Sequence, residues 1–442
     1  IEPSDVVFIA EYCGGGFGSK GGPYAIMLLP AVMSKKIGRP VMHRVSREQE
    51  FYWGSARAGF QGRIKMGFGN DGRITAVDLY IIQQNGPKTG FPDYASAADA
   101  VTLVYQPESM RFRGIPVLTN TTPAGAQRGP GQNQMAMVIE PLLDKAAKAL
   151  EVDRIDMRRV NAPTMDGTYS DEQGPLTSAY LREAYELGAR EFDWEAKMAR
   201  SGEQNGSKVI GVGVGQAFHS GGSNGFDGLV RLTPDGVVHI HSGVGNLGTY
   251  SYAGTSRVVA EVLQCDWERC VIHRGDSREH LPWNLGQFGS NTSFTMTRSN
   301  HAAAVDLKNK LLEIAAIDFG GNAGDYDIDG ERVFSKADPA QGMTYGEAAE
   351  RAIDIGGKFA GHALADDMFF MTKASATAVA GTGLVGAAKD NYDKNGVVPA
   401  LAVGYMMVEL DLETGMYEIL EYQATADCGT VIHPQGLAAQ IR

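Results

Sequence analysis

The stretch Glu11-Tyr12-Cys13-Gly14-Gly15-Gly16-Phe17-Gly18-Ser19-Lys20-Gly21-Gly22 decides how this chain is read. Six of the nine residues from Gly14 to Gly22 are glycine. Such a backbone can take positive φ and bring bare N–H groups against a ligand, while Phe17 projects from an otherwise side-chain-poor loop. The bland alternative is a glycine-rich surface turn. This cluster, however, lies between the β-branched run 6–10, read as a strand, and the apolar, helix-like stretch 25–33. The loop is therefore the first candidate for cofactor contact.

Working outward, 23–36 reads as a helix and 38–45 as a turn and strand. Residues 59–66 and 74–83 alternate around Asn70-Asp71-Gly72, a hairpin signal. A strand-like piece from 117 leads into a second glycine-punctuated loop, containing Gly125, Gln127, Arg128, Gly129 and Gly131. Helical spacing follows over 135–150, carried by Met137, Val138, Pro141, Leu142, Ala146 and Leu150. Arg128 at this helix start is read equally as an anion-binding group or as a surface ion-pair partner. A short helix over 155–159 and a polar stretch 164–176 suggest a boundary, giving domains of 1–165 and 171–442. A single helix is expected over 179–198.

The second half opens on a strand over 209–214 that empties into a polar loop, 215–225, carrying Phe218 and His219. A hairpin is expected over 228–241 around Pro234-Asp235-Gly236. It ends in Gly243-Val244-Gly245-Asn246-Leu247-Gly248, a G-x-G-x-x-G turn before a helix-like run 250–263, with Asp266 beyond. Alone this reads as a nucleotide-binding βα turn. The preceding hairpin and the polar segment after 273 argue against a free-standing Rossmann domain. Residues 286–299 carry Ser290, Thr292, Ser293, Thr295, Thr297 and Ser299 before an expected helix at 302–316, hydroxyls suited to a phosphate. Residues 320–374 suggest no chemistry beyond a helix at 345–355. A third hairpin is expected from 400–412 and 417–423, ending at Asp427, read as a turn-forming side chain.

With 442 residues, 43% of them hydrophobic and 21% charged, the chain can build at least two cores. The net charge of −12 and the lack of a dense Lys/Arg run exclude a nucleic-acid surface. No run approaches the ~20 apolar residues of a membrane span. Nor does 1–5 look like a signal peptide, so a cytoplasmic setting is expected, a periplasmic one remaining open. Four cysteines without a CxxC pair imply no disulfide framework, and Cys265 and Cys270, separated by Asp-Trp-Glu-Arg, read as structural thiols. There is no G-x-S-x-G, no HExxH and no P-loop, since Ser19 precedes Lys20 where a glycine is needed.

Taken in order, these motifs resemble the molybdopterin-binding subunit of the xanthine oxidase family of molybdenum hydroxylases. Cys13 to Lys20 resembles its GGGFGGK loop, Gly125 to Gln134 its RG-x-G-x-x-Q loop, and Gly245 to Gly248 its G-Q-G pterin loop. Thr295 to Ser299 resembles its hydroxyl-rich phosphate loop, and Asp427 to Gln440 its D-x-G-x-x-x-N-P…G-Q segment. The resemblance implies an α+β fold of two elongated mixed domains with antiparallel hairpins. It implies that Gly15, Gly16, Phe17 and Gly18 border the molybdenum site, with Gln127 and Arg128 on its other side and His219 in the substrate pocket. Gly245, Asn246, Gly248, Ser293, Thr295, Thr297 and Gln440 would contact the pterin or its cytosine dinucleotide tail. The metal would be held through the pterin dithiolene, without a side-chain ligand. Electrons would pass to [2Fe-2S] and FAD on partner chains.

Departures narrow the expectation. Asn246 stands where glutamine is usual, His433-Pro434 replaces Asn-Pro, and Gly21 occupies the position of a glutamate found in purine-oxidising members. Ala124 to Arg128 lacks the cysteine of carbon monoxide dehydrogenases. Aldehydes or N-heteroaromatics are the expected substrates. The family's general-base glutamate belongs downstream of Gln440, so further residues or a second molybdopterin-binding chain are expected to complete the site. The rival readings are an NAD-type module built on Gly243 to Gly248 and a non-catalytic scaffold.

Overall fold

The computed structural model describes residues 2, 5–22, 24–167, 169–170 and 175–441. The start of the helix expected at 23 and much of the expected boundary at 164–176 fall outside them. By contact, the chain divides into two compact units: residues 16–221 with 395–430, and residues 1–15 with 222–394 and 431–442. Chain-order halves and compact units are thus different partitions, because the first unit takes strands from both sides of 222–394 and the second takes residues from both sides of 16–221 and of 395–430.

In the unit built on 16–221, Phe60–Phe68 and Ile74–Gln84 pair antiparallel around the Asn-Asp-Gly turn, with a bulge at Gly67/Phe68. Gly72, at φ 83°, supplies the positive φ the turn needs. The helix Asp93–Tyr105 then crosses over to Met110–Val117, which joins Ile74–Gln84 in parallel. The strand expected to start at 117 therefore ends there. Alternation along Ile74–Gln84 buries Ile74, Val77, Leu79 and Ile81.

The helix Gln132–Leu150 forms as expected, but on another face. Met135, Ile139, Leu143 and Ala147 are its buried stripe, while Met137 is 79% exposed. The stripe's i, i+4 spacing aligns it with the core, and the expected set lies off that line. Arg158, fully buried, pairs with Glu140 at 2.7 Å and Asp144 at 2.8 Å, and the Tyr105 hydroxyl donates to Glu140 at 2.6 Å. A second sheet runs Tyr417–Asp427, Val398–Asp411, Lys208–Gly221, Gln204–Asn205, all antiparallel. The helix expected over 179–198 is two, Leu181–Phe192 and Trp194–Arg200, because Asp193 at φ 56° breaks it. The strand expected within 38–45 does not form; those residues pair with no neighbour in a sheet.

In the other unit the sheet order is Leu384–Lys389, Asp227–Leu232, Val238–His241, Cys270–His273. Only the last pair is parallel, joined through the helix Ser251–Leu263. The 28-residue helix Thr292–Phe319 lies on this sheet and buries Ala303, Leu307, Leu311 and Ile314. It comes so close at Gly228 that an added Cβ would stand 2.1 Å from the Ser299 carbonyl oxygen. Residues 320–374 hold a small sheet, Tyr326–Asp329, Arg332–Ser335 and Gly342–Thr344, besides the expected helix Tyr345–Ile355. Residues 6–10 are not a strand. Ile9 makes one bridge to Asp276, and Val6, Val7, Phe8 and Ile9 are each at least half exposed.

Candidate cofactor-binding loops

The expected site residues divide between the units. Gly16, Phe17, Gly18, Gln127, Arg128 and His219 belong to one; Gly15, Gly245, Asn246, Gly248, Ser293, Thr295, Thr297 and Gln440 belong to the other.

In the first of these units, the two glycine loops meet through their backbones. Phe17 takes φ 53° and leaves its ring 64% exposed, while its carbonyl accepts the Arg128 N–H at 2.6 Å. Gly18, at φ 105°, lies so close that an added Cβ would stand 2.5 Å from the Ala126 carbonyl oxygen. The second loop is held from behind by 55–57. Gly125 N–H donates to Ala56 O at 3.0 Å, and Gln127 Nε2 donates to Ser55 O at 2.6 Å. The Arg57 guanidinium reaches Arg128 O at 2.6 Å, Gly129 O at 3.1 Å and Gln134 Oε1 at 3.3 Å. Gly131 closes the loop over the Asp93 carbonyl, 2.0 Å from an added Cβ. Burial pushes the Asp93 carboxyl up to about 6, against the opposing pull of Gln134 and Arg57.

Beside the first loop, Lys20 pairs with Glu50 at 2.8 Å and holds its carboxyl below the usual range. The two line a cavity of about 270 Å³ with Ser19, Phe51, Ser55 and Thr122. His219 and Phe218 do not sit on a loop. The strand Lys208–Gly221 continues through them, paired with Ala400 and Leu401, because alternation persists past its glycines. Phe218 is a core residue packed edge-on against Tyr169, and His219 Nδ1 lies 2.6 Å from Ser220 O.

In the other unit, the Asn246 carbonyl accepts the N–H groups of Cys13 and Gly14, each at 3.3 Å. The beginning of the first glycine loop is thereby fastened to the G-x-G-x-x-G turn. Among the described residues, nothing accepts from the N–H groups of Gly245, Asn246 and Leu247. Gly248, at φ 87°, and Gly14, at φ 70°, would place a Cβ with no atom within 4 Å. The Asn246 side chain turns back onto Gly248 N–H at 2.9 Å, and Asn284 anchors Gly243 N–H at 2.6 Å. Together these leave unpaired donors on an open turn ahead of the helix Ser251–Leu263, a donor set that fits a phosphate-bearing group.

The hydroxyl-rich segment is helical rather than a loop, since Thr292–Phe319 starts ten residues before the expected helix at 302. Its hydroxyls therefore point in different directions. Ser293 is exposed, Thr295 is buried and donates to Ser223 O at 2.8 Å, and Thr297 Oγ1 is buried without a partner among the described residues. Gln440 is exposed on the helix Pro434–Ile441, whose start is capped by His433 Nδ1 accepting from Gly436 N–H at 2.9 Å. Asp427 works as a fastener: its carboxylate accepts from Ser178 Oγ at 2.5 Å and Tyr180 N–H at 2.9 Å, besides the turn bond to Gly429 at 3.3 Å. Asp266 accepts from Glu268 N–H within its own turn at 3.1 Å, and one parallel strand pair is all the Rossmann-like topology among the described residues of this unit.

Sequence reasoning missed Ser55, Arg57 and Asn284. Arg57 grips carbonyls 71 and 72 residues away, and no local pattern announces such a contact. It also missed that His239 and His241 both stack on His273, with centroids 5.1 and 4.7 Å away, and that His273 bonds to Glu279.

The molybdopterin cofactor-binding domain family matches this chain twice, over residues 1–162 and 187–442. A xanthine dehydrogenase molybdenum-binding subunit from Escherichia coli O157:H7 is 29% identical over 328 residues, 71% of this chain and 43% of that protein. The aldehyde oxidoreductase molybdenum-binding subunit PaoC from the same organism is 28% identical over 321 residues, 72% of this chain and 43% of its own length. Among solved structures, quinoline 2-oxidoreductase from Pseudomonas putida 86 superposes with a TM-score of 0.80 at 23% identity, covering 97% of this chain and 55% of that one. The chain spans about half the length of the relatives it matches.

Proposed function

Because the chain belongs to the molybdopterin cofactor-binding domain family, we propose that it forms the cofactor-holding part of a molybdenum hydroxylase acting on an aldehyde or an N-heteroaromatic carbon. The carrying observation is the open turn 245–248, with the unpaired N–H groups of Gly245, Asn246 and Leu247 and the link from Asn246 to Cys13 and Gly14. The bound molybdenum centre supplies the two-electron oxidation with oxygen derived from water. The N–H groups of Gly245, Asn246 and Leu247 take the pyrophosphate of a pterin cytosine dinucleotide, with Ser293 and Gln440 as further polar contacts. Phe17 presents an exposed ring beside the centre, and the fixed loop 126–129 presents Gln127 and Arg128. A glutamate outside this chain acts as general base. Electrons leave through [2Fe-2S] and FAD partner subunits. All four cysteines are unpaired, which supports a cytoplasmic setting. Among the described residues, no helix is long and apolar enough to cross a membrane.

The test uses the complete protein with an artificial electron acceptor, a panel of aromatic aldehydes and quinoline-type heterocycles, and ¹⁸O-labelled water. The proposal expects turnover of one class with label in the product. Turnover without label, or none from molybdenum-loaded protein, rejects it.

A further inference from the structure

Cys265 and Cys270 bracket Asp-Trp-Glu-Arg, and the cofactor reading leaves them unused. Cys265 follows the helix Ser251–Leu263 through Gln264, a left-handed residue at φ 48°, and its N–H reaches Ala260 O at 3.2 Å. Cys270 opens the strand Cys270–His273. Between them lies the short turn Trp267–Arg269, fixed at its start by the Asp266 carboxylate accepting from Glu268 N–H at 3.1 Å. The Arg257 guanidinium covers the Trp267 ring at 4.8 Å. The backbone around both thiols is thus held at each end. Their sulfurs stand 4.0 Å apart, both half-buried against the core of this unit. Neither has a metal to serve: among the described residues no group of three or more His, Cys, Asp or Glu could hold one.

We propose that Cys265 and Cys270 form a redox-modifiable site, which a hydroperoxide converts to a disulfide joining the end of this helix to the start of the strand. The bond requires the sulfurs to close from 4.0 Å to about 2.05 Å. One thiolate attacks the terminal peroxide oxygen, the O–O bond breaks, and a sulfenic acid forms as water or alcohol leaves. The second thiol's sulfur then attacks the sulfenic sulfur. The S–S bond forms, the hydroxide leaves, and the thiol proton completes a second water. The two thiols lose two electrons and two protons, and the peroxide takes up both. The bond closes the short loop 265–270, so oxidation staples the end of the helix Ser251–Leu263 to the start of the strand Cys270–His273, at the end of the helix remote from the turn 245–248.

The experiment treats the folded complete protein with hydrogen peroxide, alkylates the remaining thiols, and maps peptides without reduction. The expected result is a peptide bearing both cysteines, unalkylated and lighter by two hydrogens, restored to two alkylatable thiols by dithiothreitol. It persists in a Cys13→Ser variant and disappears in Cys265→Ser. Oxidised protein should also melt at a higher temperature than reduced protein, with no difference in Cys265→Ser/Cys270→Ser. Two alkylated thiols after peroxide, sulfinic acid without a link, or a link formed only once the chain is unfolded overturns the proposal.

Discussion

Replacing Gly18 by alanine strikes the join between the two glycine loops. The new Cβ would lie 2.5 Å from Ala126 O, 3.0 Å from Ala126 C and 3.2 Å from Gln127 Cα, all backbone atoms that cannot rotate aside. The residue also sits at φ 105°, where an L side chain is strained by about 1–3 kcal/mol. Shifting either loop to relieve the clash breaks the Arg128 N–H bond to Phe17 O, a further ~0.5–1.5 kcal/mol. The sum is about 2–4 kcal/mol. Taken from cofactor affinity or transition-state binding, that is a loss of roughly 30- to 1,000-fold. Gly22→Ala is the matched control, because a Cβ there meets nothing within 4 Å. Both variants of the complete protein would be assayed for molybdenum and pterin per chain and for kcat/KM. Wild-type values for Gly18→Ala, or equal losses in both variants, refute the reasoning.

Arg57→Met removes the three hydrogen bonds that fix Arg128, Gly129 and Gln134. Since Arg57 is exposed, the effect should be about 1–2 kcal/mol, seen as a roughly tenfold fall in kcat with little change in Tm and partial rescue by Arg57→Lys. A Tm loss without a kinetic one would show a structural role only. Arg158→Met strands Glu140 and Asp144 and should destabilise its unit by about 3–5 kcal/mol in denaturant unfolding. A loss under about 1 kcal/mol would mean the acids find other partners. Burial holds His239 down to about 4 and His241 down to about 3, with Arg231 and His273 adding repulsion. The folded state therefore binds fewer protons than the unfolded one. Stability is complete above the unfolded value near 6.5 and falls as the pH drops through 6.5 towards 4 and 3. After discounting for partial exposure, about 1–3 kcal/mol should be lost between about pH 7 and pH 5. His239→Gln/His241→Gln should flatten that slope, and an unchanged slope would refute the assignment.

The local signals that translated faithfully were those set by short-range chemistry. Asn70-Asp71-Gly72 and Glu413-Thr414-Gly415 each close a hairpin, and the helix expected over 345–355 forms as Tyr345–Ile355. What failed depended on distant partners. The β-branched run 6–10 has strand propensity but finds one bridge, to Asp276. The glycines of 215–221 look like a loop, yet the long pairing with 398–404 keeps them in a strand. Helix existence was legible at 132–150, but its buried face was set by the sheet it packs on. The same division runs through the site. Glycine loops announce themselves by composition. The residues that fix them, Arg57 and Asn284 among them, act across the fold, and the hydroxyls of Thr295 and Thr297 turned out to lie in a helix that buries them.

The proposed function requires these loops to hold a molybdopterin dinucleotide. The direct measurement is metal and pterin content of the complete protein isolated from cells supplied with molybdate, with the nucleotide released by mild acid identified by mass spectrometry. One molybdenum, one pterin and one cytidine nucleotide per chain is the predicted result, with no NAD bound in titration. Protein that carries neither molybdenum nor pterin, or that binds NAD at Gly243 to Gly248 instead, contradicts it.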